Sequence, residues 1–220
     1  MNTPLRYQLS EYDCGPTTLL NAIAVLMPRK QIPPDIIKYI YIYALDGMDR
    51  RGQLGRAGTS ELAMLFLANT FNQLARARRW PICCEALSAK DIHLTAGSPL
   101  VRALEQGAVA VARVYLGCPH YVLFTAVDSD AQMLYLFDPY YDSDLQERGD
   151  RLKILNDAPH RWNRRVAWSL LERTNRGLYA LGPEDRRECF LLSNACIPGV
   201  CPPDCPRVDC PHSADNKTDV

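Results

Sequence analysis

The chain has 220 residues, 47% apolar and 23% charged, with 25 acidic and 25 basic side chains. That length suffices for one domain with a substantial core, and the even charge balance gives no general attraction for nucleic acid or for an anionic membrane. No apolar run reaches the length of a membrane span, and the opening MNTPLRYQLSEYD lacks the apolar core of a secretory signal, so a cytoplasmic protein with reduced thiols is expected.

In chain order, residues 16–27 predict a helix, because Leu19, Leu20, Ile23, Ala24 and Met27 recur at helical spacing. Pro16 suits its first turn and Pro28 ends it. PPDIIKYIYIYAL predicts a second helix, opened by two prolines and Asp35 and closed by Gly47, although its Ile and Tyr content also allows a strand. The Gly- and Arg-rich GMDRRGQLGRAGTS is a loop, either plainly solvated or able to hold an anion. TSELAMLFLANTFNQLARA predicts the next helix, capped by Thr59 or Ser60. WPICCEAL predicts a strand with one of Cys83 and Cys84 facing the core. SPLVRALEQG is a short helix, with Ser98 as cap, Pro99 first and Gly107 just past the end.

After Gly107 the pattern changes. AVAVARVYL, HYVLFTAVD and MLYLFDP are β-branched and aromatic, and SDAQ joins the last two as a hairpin turn. Helices followed by antiparallel strands make an α+β fold. NRRVAWSLLERTN predicts one more helix and GLYALG a closing strand. The body is expected over 1–188. Residues 189–220 are Pro-, Cys- and polar-rich and are expected to form a tail, either disordered, bound to zinc, linked by disulfides or used for docking. Cys196, Cys201, Cys205 and Cys210, with His212 nearby, are the thiolate-rich candidates for a metal. Their spacing is not the paired C-x-x-C of a zinc knuckle, and no other cofactor is expected.

Cys14 stands between Asp13 and Gly15-Pro16, where the first helix begins. A thiol attacks as thiolate, and a helix N-terminus favours the anion. A small buried hydrophobe is the other reading of such a cysteine. A nucleophile also needs a base and a group to orient that base. His120 opens the strand HYVLFTAVD at the rim of its apolar face, and Asp138 ends the neighbouring strand, where it can fix the imidazole tautomer. Gln8, six residues before Cys14, is a candidate oxyanion donor together with the Cys14 amide. His93, His160 and Cys118 are read as incidental.

Three segments carry a resemblance: QLSEYDCGPTTLLNAI, GRAGTSELAMLFLA and HYVLFTAVDSDAQMLYLFDPYY. Across roughly residues 5–142 the chain resembles the cysteine peptidases that process bacteriocin precursors after a double-glycine leader. The resemblance implies a papain-like fold, a helical half packed on an antiparallel sheet with the cleft between them, and a peptide or protein substrate with a small residue such as glycine before the scissile bond. It implies that Gln8 supplies the oxyanion donor, Cys14 attacks, His120 is the base and Asp138 orients it. The 220 residues contain no transporter segment or nucleotide-binding motif, so the resemblance is to a free-standing member. The same residues would serve an acyltransferase or transpeptidase, or persist in a non-catalytic peptide-binding module.

Overall fold

The computed structural model describes residues 4–78 and 80–194. Among the described residues, five helices, α1 (Cys14–Leu26), α2 (Pro34–Tyr43), α3 (Glu61–Arg78), α4 (Pro99–Glu105) and α5 (Trp168–Leu171), surround seven strands. The strands are β1 (Cys83–Ala86), β2 (Val109–Tyr115), β3 (Pro119–Asp128), β4 (Met133–Phe137), β5 (Leu152–Ile154), β6 (Arg164–Ala167) and β7 (Cys189–Ser193). They form one antiparallel sheet in the order β1-β7-β2-β3-β4-β6-β5. The fold is α+β.

Strand periodicity explains why the sheet is covered on both faces. Side chains alternate across a strand, and here both sets are apolar. Val109, Val111, Tyr121, Leu123, Phe190 and Leu192 face a core shared with α1, α2 and α3. Ala110, Val114, Val122, Phe124, Leu136 and Leu191 face a second core closed by α4, α5 and the segments around them. Each fully buried aliphatic or aromatic side chain contributes roughly 1.5–3 kcal/mol by leaving water.

The sequence expectations hold for α1 to α4 and for β1 to β4. PPDIIKYIYIYAL is helical, with Ile36 and Ile40 turned into the core. Ser60, rather than Thr59, caps α3: its hydroxyl accepts the Ala63 amide at 3.1 Å. Ser98 caps α4 through the Val101 amide. Cys83 and Cys84 are both buried, not one of the pair, because both faces of the sheet are covered.

Three expectations are corrected. The helix expected over 163–175 is strand β6 followed by the single turn α5, since Arg164 and Val166 alternate as strand residues between β4 and β5. GLYALG adds no strand; it touches the sheet through one bridge between Ala180 and Tyr115. The body does not stop at residue 188. Cys189–Ser193 is β7, inserted between β1 and β2, and all five of its residues are buried. The short run CFLLS was masked by the Pro- and Cys-rich segment after it. Cys196, Cys201, Cys205 and Cys210, the zinc candidates, lie outside the described residues.

Among the described residues no helix is long and apolar enough to cross a membrane, and no group of three His, Cys, Asp or Glu side chains is placed to hold a metal ion.

Candidate active site

One end of the sheet gathers the start of β3, the end of β4, the end of β2 and the start of β7. The N-terminus of α1 meets it there. Thr18, one turn into α1, donates its hydroxyl to the Tyr121 carbonyl at 3.1 Å, which ties the helix to β3 beside His120.

Cys14 is the first residue of α1, so its amide has no acceptor within the helix. The helix starts here because the Asp13 carbonyl accepts the Thr17 amide at 3.1 Å, and because Pro16 occupies a first-turn position that needs no donor. Gly15 is required by packing: a Cβ there would run into the Thr59 hydroxyl and come within 2.7 Å of the Thr59 Cβ. The GTS segment of the loop before α3 thus closes on the start of α1.

The Asp13 carboxylate organises the turn before the helix. It accepts the Leu9 amide at 3.0 Å, the Ser10 amide at 2.7 Å and the Ser10 hydroxyl at 2.6 Å. Burial pushes the Asp13 carboxyl up, but these bonds outweigh it and hold the group below its ordinary range. Gln8 leads into that turn. Its amide donates to the Pro139 carbonyl at 2.8 Å, next to Asp138. Its side-chain Nε2 donates to the Ser10 carbonyl at 2.7 Å, and its Oε1 is buried without a partner. One Nε2 hydrogen is not used by Ser10.

His120 Nε2 lies 2.8 Å from Asp138 Oδ1. That bond leaves Nδ1 as the ring nitrogen open to Cys14, the other side chain that acts on the imidazole. Burial pushes the imidazole down; the bonds to Asp138 and Cys14, with their negative charge, more than reverse this and raise its pKa to about 10. Cys14 is 8% exposed, His120 6% and Asp138 2%, so the three side chains lie in a site nearly closed to water. The Tyr140 and His120 rings are arranged edge to face, with their centres 6.3 Å apart. No protein-family model, curated protein or solved structure matches this chain.

Asp138 is held by groups that the sequence did not single out. Asn163 Oδ1 accepts the Asp138 amide and Asn163 Nδ2 donates to its carbonyl, both at 2.8 Å. The Tyr140 amide donates to Oδ1 at 2.8 Å. Tyr179 donates its hydroxyl to Oδ2 at 2.6 Å. Asn163 and Tyr179 lie in stretches whose sequence pattern points to a helix and an ordinary strand, and no motif marks them. Tyr121, the neighbour of His120, donates to Glu188 at 2.6 Å, and Glu188 pairs with Arg113 at 2.5 Å. Burial pushes the Tyr121 phenol well above its ordinary value, reinforced by the Glu188 charge. A cavity of about 400 Å³ opens beside this group, walled by Glu61, Leu65, Arg113, Glu188 and Phe190. Cys14 and His120 are not part of its wall.

The remaining sequence candidates lie apart from the trio. His93 contacts buried Arg187 at 3.1 Å and belongs to that residue's network with Glu172. Cys84 sits in β1 with its backbone held by Asn72, and burial pushes its thiol up to about 12. Cys118 is exposed and unbridged. The loop at 47–58 is folded on itself: the Gly47 amide donates to the Gly58 carbonyl and the Gly55 amide to the Gly47 carbonyl.

Proposed function

We propose that the chain is a cysteine peptidase of papain-like fold, similar to the enzymes that cut bacteriocin precursors behind a double-glycine leader. The observation that carries this reading is one buried imidazole, His120, bonded to the Asp138 carboxylate at 2.8 Å and shifted in pKa by both Asp138 and the Cys14 thiol at the start of α1. A strongly perturbed histidine between a thiol and an orienting acid is what nucleophilic catalysis by sulfur requires.

In the proposed cycle, the Cys14 thiolate adds to a peptide carbonyl carbon. The developing oxyanion is met by the unpaired Cys14 amide and by the free Nε2 hydrogen of Gln8. The tetrahedral adduct collapses as the C–N bond breaks, and the His120 imidazolium gives its proton to the leaving amine. The neutral imidazole then takes a proton from water, the hydroxide displaces the thioester sulfur, and the thiolate–imidazolium pair is restored. Asp138 holds the ring in the orientation that presents Nδ1 to sulfur.

A peptide-library digest read by mass spectrometry tests the proposal, with wild type beside Cys14→Ala. Cleavage by wild type and none by the variant is expected. Equal cleavage by both contradicts the assignment of Cys14.

A further inference from the structure

Tyr179 is the least explained residue near the site. It is a bulky aromatic at φ +56°, a backbone region that side chains of its size rarely adopt. It is 1% exposed. Its amide donates to the Tyr115 carbonyl at 2.7 Å, at the end of β2. Its hydroxyl reaches Asp138 Oδ2, just past the end of β4. The side chain therefore spans from β2 to β4 across the start of β3, where His120 stands. An unfavourable conformation kept in a packed position is a sign that its placement serves the site.

Asp138 makes the role specific. Its amide and carbonyl are taken by Asn163, and Oδ1 by His120 and the Tyr140 amide. Oδ2 is left to Tyr179. The charged and titratable groups around this carboxylate are His120 from β3, with Cys14 from α1 behind it, Arg164 from β6, and Tyr179 itself. Arg164 is buried, and its charge partly offsets the upward push that burial and the Asp138 charge give the Tyr179 phenol.

We propose that Tyr179 is a positioning residue for the Cys14–His120–Asp138 trio, fixing the Asp138 rotamer and keeping its charge in place opposite the imidazolium. The proposal rests on the peptidase reading. Without the phenol, Oδ2 is a bare carboxylate oxygen in a buried site. The anion is then less stable, the imidazolium loses part of its counter-charge, and the thiolate is lost at a higher pH.

The test is the pH profile of Cys14 alkylation by iodoacetamide in Tyr179→Phe, which keeps the ring and removes the hydroxyl. The acid limb is expected to move up by about one pH unit. The same change in an Asp138→Asn background is expected to move nothing, because no carboxylate remains to be held. Site-specific 3-fluorotyrosine at 179, a stronger donor of nearly the same shape, is expected to move the limb down, and it serves if Tyr179→Phe does not fold. An unchanged limb in a folded Tyr179→Phe or fluorotyrosine protein, with wild type showing an activated thiol, overturns the positioning role alone. A wild-type profile without an activated Cys14 removes the peptidase reading and this inference together.

Discussion

The hydroxyl of Thr18 and the carbonyl of Tyr121 lie 3.1 Å apart although 103 residues separate them in the chain. One is a turn beyond Cys14 and the other follows His120, so a buried bond ties the helix that begins at Cys14 to the strand that carries His120. Thr18→Val keeps the shape and strands the carbonyl. The expected cost is about 1–3 kcal/mol of stability, read by urea denaturation, together with slower alkylation of Cys14 in the folded protein. Full stability and an unchanged alkylation rate would show that the bond is dispensable.

Gly15 and Thr59 form a second tie to the same helix end. Gly15→Ala forces a methyl group into Thr59, and overpacking of this kind costs about 1–3 kcal/mol. Thr59→Gly empties the contested space. The double variant is therefore expected to be more stable than the sum of the single effects allows. Additive losses would place the requirement for glycine somewhere other than this contact.

His120 gives a pH signature of stability. Its pKa is raised from 6.5 to about 10 on folding, so the folded state binds that proton more tightly than the unfolded chain. The resulting stabilisation is fully present below pH 6.5 and is lost as pH rises through 10. Urea midpoints measured from pH 6 to 11 should fall more steeply for wild type than for His120→Gln. Parallel curves would mean that the imidazole carries no excess proton in the native state.

A Gln8 variant tests the proposed oxyanion role of its side chain. If its free Nε2 hydrogen meets the oxyanion, Gln8→Ala lowers kcat by about 10²–10³ with a smaller change in KM. Alkylation of Cys14, which forms no oxyanion, should stay near the wild-type rate. A loss of alkylation equal to the loss of turnover would show that Gln8 acts by shaping the turn at Ser10.

Much of the fold was legible in the sequence, for a local reason. Helices α1, α3 and α4 have apolar stripes or caps within their own segments, and β2 to β4 are dense in β-branched residues. Cys14, His120 and Asp138 were legible as candidates because each sits at the end of such an element. What was hidden depends on distant partners. CFLLS becomes a central strand only because β1 and β2 leave a gap between them. NRRVAW forms β6 because β4 and β5 offer edges on either side. Asn163 and Tyr179 gain their meaning from Asp138, 25 and 41 residues away, and no periodicity records that relation. The loop MDRRGQLGR is largely exposed, as the solvated reading has it, but nothing in the sequence records that Thr59, a candidate cap of α3, reaches the start of α1.

Competition between two thiols tests the central claim most directly. Cys118 is exposed, whereas Cys14 is 8% exposed and faces His120. Brief iodoacetamide labelling of the folded protein at pH 5.5, with adducts mapped by mass spectrometry, asks whether exposure or the imidazolium governs reactivity. A Cys14 adduct that forms well ahead of any at Cys118, and that disappears in His120→Ala, is the expected result. Labelling of Cys118 with Cys14 silent until the protein unfolds would contradict a thiolate–imidazolium pair at this site.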